Sequence, residues 1–183
     1  PNNKYCIKEY CLVPLREEDM ELIMNWRNEQ IDALRQKKPI TKDQQYNYFN
    51  QIIMKSFRDD KPESILFSFL INSVCIGYGG LVHIDRKSKT AELSFLVDTN
   101  HYTNKNLYKS DFNSFLTLIS EIVFEELKLK KLFTETYDFR LHHIEILEKF
   151  GFKEEKRIKN NVEINGKNVD SVFHVYENSC KPK

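Results

Sequence analysis

From Thr90 to Val97 apolar and polar positions alternate, with Ala91, Leu93, Phe95 and Val97 on one side and Glu92, Ser94 and Leu96 on the other. That period of two predicts a strand. The polar stretch 98–108 is predicted as a turn. Beyond it, Phe112, Phe115, Leu116, Ile119, Ile122, Val123 and Leu127 recur at steps of three and four, which predicts one long helix laying an apolar stripe on a sheet. Upstream, 10–15 reads as a first strand. The acidic run Glu17, Glu18 and Asp19 suits a helix N-terminus, and that helix carries Met20, Ile23, Met24 and Trp26 before closing at Asn28. Residues 29–40 read as irregular. Thr41 with Gln44 makes a capping-box pattern and opens a second helix with Phe49, Ile52 and Ile53 on one side.

Segments 64–71 and 74–84 read as paired antiparallel strands around a tight turn at Asn72 and Ser73. Gly77, Gly79 and Gly80 in the second of these mark a bulge or a close approach to the backbone. A strand at 131–136 follows the long helix and is predicted parallel to 90–97, because a helix returns the chain to the same sheet by a crossover. Residues 140–150 read as a helix stopped by Gly151. Segments 152–164 and 167–176 form a hairpin around Asn165-Gly166. The expectation is a single α/β domain over residues 10–177, with a mixed, mostly antiparallel sheet and helices on both faces. Residues 1–9 and 178–183 are expected to be terminal extensions.

The 183 residues, 40% hydrophobic and 30% charged, suit one compact core. Lys and Arg number 28 against 27 Asp and Glu, a net charge of +1, which argues against nucleic acid or a membrane surface as partner. No apolar run approaches the ~20 residues that span a bilayer, and the beginning has no signal-peptide pattern. A cytoplasmic protein is expected, and the leading Pro1 implies that earlier residues are missing. Cys6, Cys11, Cys75 and Cys180 form no CxxC pair and group with no histidines at zinc spacing. Reduced thiols and no metal are therefore expected.

A strand, a polar loop and a helix start in sequence form an anion site, since the first helical N–H groups have no internal partner. The stretch after Val97 is thus expected to hold the phosphates of a coenzyme.

Three patches carry a resemblance: Ala91-Glu92-Leu93-Ser94-Phe95-Leu96-Val97 with its loop and helix, Phe124-Glu125-Glu126-Leu127 leading to Lys131-Leu132, and Leu147-Glu148-Lys149-Phe150-Gly151-Phe152. With the order of elements, from Cys11 to about Tyr176, they resemble the GNAT superfamily of acyl-CoA-dependent N-acyltransferases. The resemblance implies a sheet splayed at the acyl-CoA site and acetyl-CoA or a longer acyl-CoA as co-substrate. It places the pantetheine arm along Phe95, Leu96 and Val97, and the phosphates near Asn104, Lys105, Asn106, Leu107, Tyr108 and Lys109. The family's loop normally carries glycines, whereas Thr103, Asn106 and Tyr108 stand at its three key positions here.

Glu92, an acid within an apolar strand, is the candidate base, acting through a water or by orienting the amine. An ion pair with an Arg or Lys of a neighbouring strand competes with that reading. Many relatives place a tyrosine just before Glu148, where this chain has Leu147, so His143, Tyr137 and His142 are candidates to protonate the leaving thiolate. Asn25-Trp26-Arg27-Asn28, Pro39-Ile40-Thr41 and the aromatics Tyr46, Tyr48 and Phe49 are similar to enzymes that acylate nucleotide-linked amino sugars for surface polysaccharide. Trp26, Arg27, Asn28 and His83 are accordingly expected to bind such a sugar. A protein N-terminus, a polyamine or an aminoglycoside is the alternative acceptor, and a non-catalytic binding module the alternative class. A polyamine would require an acidic cleft, which no single stretch displays. The final hairpin implies a possible homodimer.

Overall fold

The structure, a computed structural model, describes residues 4–178; Pro1 and Cys180 lie outside them. Eight strands form one sheet in the order β1-β2-β3-β4-β5-β6-β8-β7. They are β1 (Tyr5–Ile7), β2 (Tyr10–Pro14), β3 (Ile65–Ile71), β4 (Val74–Asp85), β5 (Thr90–Val97), β6 (Lys131–Tyr137), β7 (Lys153–Ile164) and β8 (Lys167–Glu177). All neighbours pair antiparallel except β5 and β6, which are parallel as predicted. Asn72 and Ser73 both take left-handed φ angles (47° and 71°), the geometry of the tight β3–β4 turn.

The long helix α5 (Lys105–Glu121) continues through a π-helical turn, Ile122–Glu126. Its stripe Phe112, Phe115, Leu116, Ile119, Ile122 and Val123 is buried against one sheet face. On the opposite face α1 (Met20–Glu29) and α2 (Lys42–Tyr48) cover a second cluster with Met20, Ile23, Trp26 and Phe49. The Thr41–Gln44 capping box opens α2. A π-helical turn, Phe49–Ile53, joins α2 to α3 (Met54–Ser56). Because a π turn holds more residues than an α turn, it buries Phe49 and Ile53 but leaves Ile52, expected on the same side, 48% exposed. Gly151 ends α6 (Leu141–Phe150) at φ 116°, accepted without strain for want of a Cβ.

Three differences from the sequence reading matter. The stretch 98–108 is not a turn. Asp98 caps a short helix α4 (Thr99–Thr103), and Asn104 caps α5, its side-chain oxygen accepting from the N–H groups of Asn106 (3.1 Å) and Leu107 (3.2 Å). Strand β1 was not expected. It pairs with β2 so that Cys6 faces Cys11, and these two form a disulfide instead of staying reduced, because direct cross-strand partners bring their Cβ atoms together. The glycines of β4, by contrast, mark what the sequence implied: pairing slips at Ile76, between Phe69–Gly77 and Leu70–Cys75, and the Ser94 carbonyl comes close to Gly79.

Candidate active site

Strands β5 and β6 pair over three residues only, Thr90 with Lys131, Ala91 with Leu132 and Glu92 with Phe133. Past Glu92 they diverge. The β6-facing backbone groups of β5 beyond Glu92 therefore meet no strand, and a cleft opens that Glu92, Phe95, Glu135, Tyr137, Arg140 and His143 help to line. Sequence reasoning had singled out four of these six. Glu135 and Arg140 were missed, although Glu135 gave the same signal as Glu92, an acid inside a strand.

Two carboxylates sit in the cleft, one on each diverging strand. The side chains of Glu92 and Glu135 are 6% and 12% exposed, and the Arg35 guanidinium pairs with both, at 3.3 Å from Glu135. The competing reading of Glu92 thus holds in kind, but its cation comes from the irregular segment after the 3-10 turn Ile31–Ala33 and not from a strand. His83, at φ 51° on the edge of the β4–β5 irregularity, places Nε2 3.6 Å from Glu92 Oε2 with its own side chain 71% exposed. Tyr137 keeps its proton at neutral pH, since burial and then the Glu135 charge raise its pKa.

At the other end of the cleft lies a buried polar chain. Arg140 Nη2 donates to Tyr108 Oη (3.3 Å), and Tyr108 Oη lies 2.7 Å from His143 Nδ1. Burial raises the Tyr108 pKa, and burial with the Arg140 charge pushes His143 well below its usual range. Tyr108 is therefore the donor to a neutral imidazole, which leaves the His143 proton on Nε2. The ring of His143 stacks on Phe112 at 4.4 Å. Tyr108 does not stand in an open loop, where the sequence placed it. It occupies the first turn of α5, 2% exposed, with its backbone N–H bonded to Asn104.

Arg140 and His143 also line a second hollow beside the start of α5, together with Tyr102, Thr103 and Lys105. The Arg140 Nε is buried without a partner, and no acid pairs with this guanidinium among the described residues. An extended molecule with a phosphate-bearing end fits this outline: cations at the hollow, open strand edge along the cleft. Asn104 satisfies two of the helix N–H groups expected to meet phosphate, which leaves Lys105 and Arg140 as the charged groups at that end. Lys109 and Asn106 are on the same first turns, Asn106 exposed.

The remaining predicted residues are elsewhere. Trp26 is buried in the second cluster. Arg27 donates to Gln36 (3.0 Å) and Tyr78 (2.5 Å), and Asn28 bonds both backbone groups of Ile40 at 2.9 Å. These two residues tie down the segment that carries Arg35. Leu96 and Val97 are buried, and Gln30 donates to the Val97 carbonyl at 2.8 Å. Among the described residues no three His, Cys, Asp or Glu side chains group as metal ligands.

The site thus combines a split parallel pair, a buried acid at the fork, an open strand edge and cations beyond a helix start. The chain belongs to the acetyltransferase (GNAT) domain family, which it matches over residues 12–173. It is an acetyl-CoA-dependent N-acetyltransferase. Similar solved structures include spermidine N-acetyltransferase from Vibrio cholerae in complex with CoA and spermine, 20% identical, TM-score 0.80, covering 93% of this chain and 96% of that one. A dodecameric structure of the same Vibrio cholerae enzyme in an intermediate state is 21% identical, TM-score 0.74, covering 93% and 95%. A structure described as a putative acetyltransferase is 13% identical, TM-score 0.69, covering 96% and 87%. At these identities the likeness concerns the fold. Among curated protein sequences no relative matches.

Proposed function

We propose that the protein acetylates a cationic alkylamine of the polyamine class. One observation carries this reading: Glu92, buried, and Glu135, partly buried, face each other's strand across the fork and are held by a guanidinium, so the fork of the cleft suits a cation. A polyamine requires an acidic site, and these carboxylates, 43 apart in sequence as their numbers give, support that reading. The spermidine acceptor of the Vibrio cholerae structures supports the same class. The nucleotide-linked amino sugar expected from the sequence has less support, because Trp26, Arg27 and Asn28 spend their contacts inside the protein.

Acetyl-CoA supplies the thioester. Glu92 orients the acceptor nitrogen and takes its proton, directly or through a water. An N–H on the open edge of β5 polarises the thioester carbonyl. Tyr137, kept protonated, gives its proton to the departing thiolate, while the Nε2–H of His143 orients the donor. Lys105 and Arg140 hold its phosphates. A cytoplasmic setting goes with this donor, although disulfides such as Cys6–Cys11 are commoner in oxidising compartments. Self-association through the β7–β8 hairpin belongs to the same proposal.

The test is steady-state CoA release with spermidine, spermine, a nucleotide-linked amino sugar and an aminoglycoside, using acetyl-CoA and one longer acyl-CoA. Polyamines should give the highest kcat/KM with acetyl-CoA. Glu92→Gln should lower it by about 100-fold with acetyl-CoA binding little changed. Preference for the amino sugar would overturn the acceptor class.

A further inference from the structure

Arg35 has a position that the acyl-transfer chemistry does not use. Its side chain is 55% exposed, yet its guanidinium reaches both Glu92 and Glu135, which are almost wholly enclosed. The segment bearing it is not loose. Arg27 and Asn28 hold Gln36 and Ile40 on one flank, and on the other Asp32 accepts from Asn165 of the β7–β8 turn at 2.8 Å. The arginine is thus presented to the fork by a pinned strap.

The cavities explain what the strap separates. Leu34, Arg35 and Tyr137 line the cleft and also a second, outer cavity between residues 31–37 and the tip of β7. These three residues border both. Asp32 and Glu163 line the outer cavity, with Lys37 as the one other charged residue there besides Arg35. A guanidinium that leaves the fork therefore has carboxylates to swing towards, and an acceptor arriving through the outer cavity meets Arg35 before it meets Glu92.

We propose that Arg35 is a specificity-determining gate that occupies the acceptor's cation site, so that an amine enters by exchanging for the guanidinium at Glu92 and Glu135. This rests on the cationic-acceptor reading above. The physical consequence is a filter. A neutral ligand cannot replace the charge of Arg35, and its entry would leave two buried carboxylates unpaired, which is costly. A cationic amine restores the pairing, so the exchange is close to balanced for cations alone. The gate lowers the affinity for every acceptor, because part of the binding free energy goes to displacing the arginine.

The experiment compares wild type, Arg35→Ala, Arg35→Gln and Arg35→Lys, with thermal melting and acetyl-CoA titration to establish that each variant folds and binds donor. In Arg35→Ala and Arg35→Gln the KM for spermidine should fall about tenfold, while the KM for acetyl-CoA stays put. Arg35→Lys, which keeps a cation on the strap, should stay nearer wild type. Guanidinium ion should inhibit Arg35→Ala competitively against the amine and not against acetyl-CoA, with little effect on wild type at the same concentration. A spermidine KM that is unchanged or raised in both neutral variants, with wild type active, overturns the gate and leaves the acceptor class standing. Acetyl-CoA binding without turnover of any polyamine by wild type or variants overturns the acceptor class, and the gate with it.

Discussion

His143 carries a pH dependence whose sign follows from its surroundings. Burial and the neighbouring Arg140, His174 and His142 hold its pKa well below 6.5, so the folded protein keeps it neutral where the unfolded chain takes up a proton. His174, wholly buried on β8, is shifted the same way. Stability is therefore full above about 6.5 and falls as the pH drops below it. Melting temperature followed across the acid range should decline there, and His143→Asn should flatten part of that decline. A melting temperature independent of pH in this range would show that the imidazole is not held neutral by the fold. At the same scale, Glu92 was legible because an acid in an apolar strand is conspicuous. Arg35 was not, since a lone arginine in an irregular segment has no pattern around it; only its long-range partners mark it.

Among elements, β4 comes close to β5 at Gly79, just past the fork. A Cβ on Gly79 would lie 2.3 Å from the Ser94 carbonyl and 2.8 Å from the Phe115 ring of α5. Neither the strand nor the aromatic beneath it has room to yield, because Phe115 is wholly buried and packed on Phe69 and Phe95. Gly79→Ala should cost about 1–3 kcal/mol, read as a lowered denaturant midpoint at unchanged slope; a shift within error would mean that the sheet breathes at this point. The strands and the α5 stripe could be read from the sequence because burial on one face imposes a period. The segment after β5 escaped because its helices are short and polar, and only their caps, Asp98 and Asn104, announce them. Side-chain capping residues look like loop residues until the helix behind them is known.

For the whole molecule, the edge of the sheet is fastened twice. The Cys6–Cys11 disulfide closes β1 onto β2, and Tyr5 Oη donates to Glu126 of the π turn at 2.6 Å. Closing a loop with a sequence separation of 5 is worth about 2 kcal/mol by chain entropy. Cys6→Ser should lower the unfolding free energy by roughly that amount, with acetyl-CoA affinity kept, since the edge lies four strands from the fork. Loss of coenzyme binding in this variant would tie the edge to the cleft. The fold class could be read from the order of elements, whereas the acidic fork could not: it exists only once two strands far apart in sequence run side by side and then part.

The divergence of β5 and β6 also divides the polypeptide by order. Everything through the long helix stands on one bank of the cleft, and β6, α6 and the final hairpin stand on the other, with the chain crossing once. A common core runs beneath both banks through Phe112, Leu132 and Leu147, which keeps the base shut. Tyr108 and His143 tie the banks again above it. Glu92 and Glu135 ride on opposite banks, so whatever cation bridges them works as a clasp. In the exchange proposed above, the acceptor nitrogen takes that clasp over from Arg35.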